Sequence, residues 1–203
     1  MAAKEQNVTI SIKVKLYPDQ KTIEEFKKLT TAYSEAATWL SDLMFNDFSG
    51  PELITDRKTL HDKYYYDIRQ KKDMKSQLAE SLIKSVSAKY KAIGTTFKKQ
   101  YHTYTDADGN TAKYRKDLNW LQYPVVYKRP QADLVRGRDW SFVSDDNGGL
   151  LLSIATLTGR TKVRFVVKGF DDVINDSDMP GLNIEDFYVC SSSYRRRCYC
   201  TEC

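Results

Sequence analysis

The apolar residues of this 203-residue chain change their spacing twice. They alternate with polar residues from Val8 to Tyr17, which is typical of a strand buried on one face. From Ile23 to Ile93 they recur at helical spacing, and from about Asn119 they alternate again between Gly, Asp-Asn and Pro turn signals. One strand, a helical block and then several strands predict an α+β fold, in which a β-barrel has its first strand separated from the others by a helical insertion.

Local signals place the individual elements. Thr22 and Glu25 form a predicted capping box at the start of a helix of about six turns. Two more amphipathic helices are predicted in "DRKTLHDKYYYDIRQ" and "DMKSQLAESLIKSVSAKYKAI". Short strands are predicted in "LNWLQYPVVYKRP" and "RDWSFVSDDNGGLLLSIATL", and residues 150–169 are typical of a β-hairpin that turns at Thr158-Gly159. After Gly169 the sequence predicts an irregular tail.

The positive charge is concentrated in one block. The chain has a net charge of +5, whereas residues 58–116 alone carry 14 basic and 6 acidic side chains. Tyrosines are interleaved with the cations of this block, as in "KYYYDIR", "KKQYHTY" and "AKYRK". Because Lys and Arg neutralise phosphates and aromatic rings stack on bases, the block predicts nucleic-acid binding. A solvated, lysine-rich helical surface is the alternative interpretation.

The sequence shows no catalytic constellation, so it predicts no catalytic residue. It contains neither a phosphate-binding G-x-x-x-x-G-K-[ST] loop nor a nucleophile elbow. His61 and His102 have no metal-ligand partner three or four residues away and are predicted to be solvated surface histidines. The pairs 145–146 and 171–172 are aspartates beside turn residues, and we interpret them as turn carboxylates.

All four cysteines lie within the last 14 residues, which suits a reducing compartment. Cys200 and Cys203 have the spacing of a zinc knuckle, but Cys190 and Cys198 do not have the spacing of a second one. The pattern therefore favours an irregular tail over a zinc site, and no metal is predicted. The chain has no apolar run long enough to cross a bilayer and no apolar leader at its N-terminus, so we expect a cytoplasmic, nucleoid-associated protein without a membrane partner.

Three stretches resemble the TnpB family, also called OrfB-type transposon proteins, which are compact RNA-guided DNA nucleases related to type V CRISPR effectors. They are "TISIKVKLYPDQKTIEEFKKLTTAYSEAATWLSDLMF", "LHDKYYYDIRQKKDMKSQLAESLIKSVSAKYKAI" and the hairpin "WSFVSDDNGGLLLSIATLTGRTKVRF". The similarity extends in collinear order over roughly residues 8–170, and the hairpin is its most specific part. The resemblance implies a wedge-type, OB-like β-barrel with an inserted helical recognition domain.

Four segments follow from this architecture. Residues 1–18 are expected to form the first barrel strand, 19–118 the helical recognition domain, 119–170 the remaining barrel strands, and 171–203 an irregular tail rich in Cys and Arg. In the family these parts hold the scaffold of a guide RNA and read a short DNA motif beside the target.

The resemblance also implies two sets of site residues. The residues that match the family segment reading the DNA motif are Tyr64, Tyr65, Lys75, Ser76 and Gln77. The residues that match strands holding RNA are Lys13, Lys15, Arg160, Lys162 and Arg164. Lys84 and Lys91, which lie outside the apolar stripe of their helix, are added to the predicted phosphate-binding residues.

Family members continue through a RuvC-like nuclease domain that uses magnesium, and this sequence departs from them after the hairpin. We therefore expect a nuclease-less module that binds guide-type RNA and double-stranded target DNA and has no cofactor of its own. One alternative is the N-terminal part of a split or truncated RNA-guided endonuclease, completed by a RuvC-bearing chain or a second copy. Another is an inactive transposon remnant.

Overall fold

A computed structural model describes residues 13–47, 53–146, 148–167, 190–192 and 197–199 of the chain. These residues form three α-helices and nine strands, and all strand pairs are antiparallel, which confirms the α+β class. The chain divides into two compact units, one comprising residues 1–31 with 129–203 and the other residues 32–128. Within the described ranges, no helix is both long enough and apolar enough to cross a membrane.

The first unit is built on a seven-stranded sheet. Its strands in chain order are β1 (Lys13–Tyr17), β4 (Gln131–Asp133), β5 (Trp140–Ser144), β6 (Leu150–Ala155), β7 (Arg160–Val167), β8 (Cys190–Ser192) and β9 (Arg197–Tyr199). Their order across the sheet is β4-β8-β9-β1-β7-β6-β5. The predicted hairpin is confirmed as β6–β7, and the first strand pairs with its second arm, with Tyr17 opposite Arg164.

The short connection between β4 and β5 prevents the sheet of the first unit from being flat. Strands β4 and β5 stand at its two ends, which in a flat sheet of seven strands would be about 29 Å apart. Only seven peptide steps join Asp133 to Trp140, and a fully extended chain covers about 25 Å in seven steps. The connection is shorter still, because Asp139 folds it back by accepting a 2.8 Å hydrogen bond from the Val135 N–H. The two end strands must therefore approach each other.

The inner face of this sheet carries the core of the first unit. Alternation along the strands turns one set of apolar side chains inward, and their burial supplies the main free energy that holds the sheet together. Trp140 is fully buried and meets Phe142 edge to face, with 5.4 Å between ring centroids. The other buried members of this face are Val14, Leu16, Leu152, Ile154 and Val163.

The first helix, α1 (Gln20–Asn46), begins one turn earlier than the predicted capping box. The cap is Asp19, whose carboxylate accepts a 2.8 Å hydrogen bond from the Thr22 N–H. Hydrogen bonding from Thr22, first from its side chain and then from its backbone N–H, lowers the pKa of Asp19 below its usual value. Thr22 instead lies inside the helix, where its hydroxyl is 3.1 Å from that of Thr161 on β7. The expectation of a Thr22 cap is therefore wrong, because Asp19 stands at the position from which a side chain reaches the free N–H groups.

The second unit contains the rest of α1 and the helices α2 (Arg57–Lys71) and α3 (Ser76–Lys99), as predicted. Asp56 caps α2 through a 3.0 Å hydrogen bond from the Thr59 N–H. Tyr90 is fully buried, and its hydroxyl lies 2.6 Å from that of Ser41 on α1. The apolar core around this pair comprises Leu40, Leu60, Ile68, Leu78, Leu82 and Val86.

Three parts of the chain differ from expectation. The predicted strand in "LNWLQYPVVYKRP" is a 3₁₀ turn, Leu118–Trp120, followed by an irregular segment, because its prolines cannot donate hydrogen bonds to a ladder. An additional hairpin, β2 (Tyr101–Thr105) and β3 (Thr111–Arg115), lies within the segment expected to be helical. In the tail expected to be irregular, β8 pairs with β4 and β9 pairs with β1.

Candidate nucleic-acid interface

Three cations of the first unit lie on the outward face of β1 and β7. Because side chains alternate along a strand, Lys162 and Arg164 point away from the core that contains Val163. Both are exposed, and Arg164 stands opposite Tyr17, whose ring is 51% exposed. Lys15 lies on the same face, with its Nζ atom 4.6 Å from the centre of the Tyr17 ring. We call Lys15, Tyr17, Lys162 and Arg164 the basic sheet face.

The backbone of Lys13 continues the basic sheet face on β1, while its side chain lies outside the described residues. Neither β1 nor β7 contains an acidic residue, so no carboxylate from these two strands offsets the positive charge. A row of cations around an exposed aromatic ring can neutralise phosphates and pack against a sugar or a base.

Arg160 lies on the same strand and face but has different surroundings. Its guanidinium donates to the Ser153 hydroxyl at 3.1 Å, the Ser153 carbonyl at 3.1 Å and the Arg138 carbonyl at 2.8 Å. A fourth, longer bond reaches the Ser141 hydroxyl at 3.4 Å. The guanidinium thus ties β7 to β6, β5 and the loop before β5, and most of its donors are used within the protein. Arg160 is therefore not included in the basic sheet face.

Arg160→Ala is expected to lower the free energy of unfolding by about 1–2 kcal/mol, because it leaves two carbonyls and two hydroxyls without their charged donor. Arg164→Ala is the matched control on the same face and should change stability by less than about 0.5 kcal/mol. Urea denaturation of both variants, followed by circular dichroism, measures the difference. Equal stability of the two variants would contradict the structural role of Arg160.

In the second unit, every fourth residue of α2 from Arg57 to Arg69 lies on one face, which meets the start of α3. His61 Nε2 lies 2.8 Å from Glu80 Oε1, and Arg57 reaches the other oxygen of this carboxylate at 3.2 Å. The His61 ring stacks on Tyr65 with 4.7 Å between centroids. His61 thus lies at the surface, as expected, with its side chain 36% exposed, and it also belongs to a polar network with Glu80 that was not predicted.

Tyr65 links this face to the start of α3. Its hydroxyl is 2.9 Å from the Ser76 hydroxyl and accepts a 3.4 Å bond from Arg69. These contacts, the first contributing most, lower the pKa of the Tyr65 hydroxyl below its usual value. The structure thus brings together Tyr65 and Ser76, two of the residues predicted to read a DNA motif, and both are accessible to solvent.

Tyr64, the neighbouring predicted residue, points the opposite way. It is buried, and its hydroxyl donates a 2.9 Å hydrogen bond to Asp47, which also receives Lys63 at 3.2 Å. Burial, together with the Asp47 contact, raises the pKa of Tyr64, and the same bond lowers the pKa of Asp47. The Tyr64 ring is therefore packed inside the protein. It is not accessible to a ligand that binds on the side of α2 where Tyr65 lies.

The other predicted residues of the second unit lie along α3. Lys75 is the residue before the first turn and makes no side-chain capping bond to the helix, and Gln77 is half-buried within that turn. Lys84 and Lys91 are exposed and follow Gln77 at intervals of seven residues, which places all three on one side of the helix. The free N–H groups of a helix start attract anions, so Lys75 and Ser76 lie where a phosphate is electrostatically favoured.

No group of three or more His, Cys, Asp and Glu side chains is placed to hold a metal ion within the described ranges. The side chains of Cys190 and Cys198, and all of Cys200 and Cys203, lie outside those ranges, as do residues 171–172. Asp145 has the turn role predicted for it, since its carboxylate accepts a 2.6 Å hydrogen bond from the Gly149 N–H.

None of the binding residues predicted from the sequence lies on the β2–β3 hairpin. Its tyrosines nevertheless belong to the interleaved stretches "KKQYHTY" and "AKYRK". The sequence therefore indicated binding by these residues, but it did not predict the two strands that carry them.

No protein family model matches the chain, and no curated protein matches it.

Proposed function

We propose that this chain is a nucleic-acid-binding module similar to the N-terminal half of TnpB. In this proposal the basic sheet face holds the backbone of a structured, guide-type RNA, and the surface shared by α2 and α3 contacts a short motif in double-stranded DNA. The observation that carries the proposal is the clustering of Lys15, Lys162 and Arg164 around the exposed Tyr17 on adjacent strands. Such a face suits a phosphate backbone better than it suits an acidic small molecule, because it is extended and open.

The arrangement of the first unit supports a wedge-type, OB-like barrel with a helical insertion. Val14 of β1 pairs with Val167 of β7, and all three helices lie between these residues in the chain. The sheet curvature brings its end strands β4 and β5 towards each other, as closure of a barrel requires. OB-type barrels bind oligonucleotides on a strand face, and the basic sheet face is a face of this kind.

The surface of α2 and α3 supports the DNA part of the proposal. Gln77 has the amide needed for bidentate bonds to an adenine edge, while Lys75 and Ser76 stand beside it at the helix start. Tyr65 contacts Ser76 and holds the two helices in register at this point. Lys84 and Lys91 extend the positive charge along α3 in the direction that a nucleic-acid backbone would follow.

The proposal concerns binding, and it assigns to this chain neither strand cleavage nor a magnesium site. Cleavage would belong to a separate RuvC-bearing chain, and the bound RNA and DNA would associate the protein with the nucleoid. A split endonuclease and a stand-alone binding module share the same two surfaces on this chain.

The test is to purify the full chain at moderate salt, extract the nucleic acid that accompanies it, and sequence that material. We expect one structured RNA species whose gene lies beside that of the protein. Its affinity should fall steeply with salt, since phosphate contacts release counterions. Protein that carries no RNA, or a mixture of unrelated transcripts bound equally well, would contradict guide-type binding.

A further inference from the structure

A cluster of aromatic rings covers one face of the β2–β3 hairpin. Tyr114 stands at its centre, with ring centroids 5.5 Å from Trp120, 5.9 Å from Tyr104 and 5.4 Å from His102. The pairing register explains the cluster, because His102 lies opposite Tyr114 and Tyr104 lies opposite Ala112 on the same face of the two strands. Leu118 anchors the adjoining 3₁₀ turn against Gly94 of α3, where a Cβ would come within 3.2 Å of its side chain. We call Tyr104, Tyr114 and Trp120 the aromatic platform.

The aromatic platform is open to solvent although its rings are large and apolar. Trp120 is 53% exposed and Tyr104 is 54% exposed. The hairpin has only two strands, and its opposite face, which includes Thr103 and Lys113, is exposed as well. A two-stranded hairpin gains little stability by itself, so cross-strand ring contacts hold its shape while leaving ring faces accessible.

One cation lies beside the platform, and others lie on the opposite face of the hairpin and at the end of α3. Lys116 Nζ lies 5.4 Å from the centre of the Trp120 ring. On the opposite face of the hairpin, the Arg115 guanidinium lies 4.2 Å from the centre of the Tyr101 ring. Lys98, Lys99 and Lys113 are exposed nearby in sequence, at the end of α3 and on β3. The acidic residues of the hairpin stand at its turn, where Asp106 is engaged by the N–H groups of Asp108 and Asn110.

We propose that the aromatic platform binds an unpaired segment of nucleic acid by stacking bases on Trp120 and Tyr104. The inference rests on the proposed nucleic-acid function and adds to it a site for single-stranded bases. Stacking requires bases with free faces, which a duplex does not offer at its surface, and Lys116, beside the Trp120 ring, is placed to neutralise a phosphate between stacked bases. The charge complementarity favours this occupant over an apolar protein segment, for which the cations would be a desolvation cost.

The experiment uses the full chain and three fluorescein-labelled probes. The first is an oligouridylate of about 12 nucleotides, within the usual range of single-strand site sizes. The second is an abasic strand of the same length, which keeps the phosphates but removes the bases, and the third is an RNA duplex of equal length. Trp120→Ala should weaken binding of the oligouridylate by about tenfold and leave the affinities for the other two probes unchanged.

Tyr123→Ala is the matched control, because Tyr123 is 76% exposed but belongs to none of the ring pairs of the platform. It should leave binding of all three probes unchanged. Trp120→Phe keeps a stacking ring and should recover most of the lost affinity even if Trp120→Ala disturbs the hairpin. In the wild-type chain the oligouridylate should quench tryptophan fluorescence, and this quenching should disappear in Trp120→Phe.

Three results would overturn the inference. If Trp120→Ala weakens the abasic strand as much as the oligouridylate, the platform does not stack bases, although the proposed binding function stands. If Trp120→Ala instead abolishes self-association in sedimentation experiments and does not affect the oligouridylate, a second copy occupies the platform. If the wild-type chain binds neither the three probes nor any co-purifying RNA, the proposed function fails together with the inference.

Discussion

Reversing two charges of the basic sheet face, with Lys162→Glu and Arg164→Glu together, is expected to weaken RNA binding about 100-fold at roughly 0.1 M salt. Each phosphate contact contributes about one decade of affinity between 0.1 M and 1 M salt, through counterion release. Both side chains are exposed on the outward face of β7, so their loss removes two contacts without opening the core. The slope of log affinity against log salt concentration should become shallower by about two.

The control for this variant changes the same net charge elsewhere in the first unit. Lys27→Glu with Lys28→Glu places the reversal on two exposed residues of α1. This control should lose much less affinity, because it leaves every cation of the basic sheet face in place and the remaining change in net charge is screened by salt. Fluorescence anisotropy across a salt series, with circular dichroism to verify folding, separates the two variants. An equal loss in both would show that the net charge, rather than the basic sheet face, determines RNA affinity.

The strands that were predicted correctly are those with one buried and one exposed face. In β1 and β7, Val14, Leu16 and Val163 are buried while their neighbours face outward, and this difference appears in the sequence as alternation. The helices were predictable for the same reason, since α3 keeps an apolar stripe from Leu78 to Tyr90. A strand or helix could therefore be predicted where its buried residues recur at a regular spacing.

The elements that were missed show no clear alternation of apolar and polar residues in the sequence. Strand β2 has no buried residue, and β8 and β9 have three residues each, which is too short for a period to show.

The two arginines of β7 show that the sequence pattern also could not separate structural residues of the site from exposed ones. Arg160 and Arg164 share a residue type, a strand and a face, and only the two serine hydroxyls and the two carbonyls around Arg160 distinguish a structural guanidinium from an exposed one. That distinction depends on residues distant in the chain, so the sequence pattern did not contain it.

Trp140 lies at the start of β5 on the inner face of the sheet, and Trp140→Ala is expected to lower the free energy of unfolding by about 3–5 kcal/mol. The indole is fully buried and packs edge to face on Phe142, so its removal leaves a cavity that the strand ladders resist filling. Within the described part of the chain, the indole N–H has no hydrogen-bond partner. Trp140→Phe should therefore cost much less, because it keeps a ring and removes a buried unpaired donor.

The matched tryptophan is Trp39 on α1, which is only half-buried and has Lys72 Nζ 5.1 Å from its ring centre. Trp39→Ala should cost less than Trp140→Ala, since less apolar area returns to water and no enclosed cavity forms. Chemical denaturation followed by far-ultraviolet circular dichroism compares the three variants. If Trp140→Ala were no more destabilising than Trp39→Ala, the inner face of the sheet could not be the packed core described above. Lys162 and Arg164 are expected to point outward because their neighbour Val163 points into that core. Without the core, there would be no physical reason for this orientation.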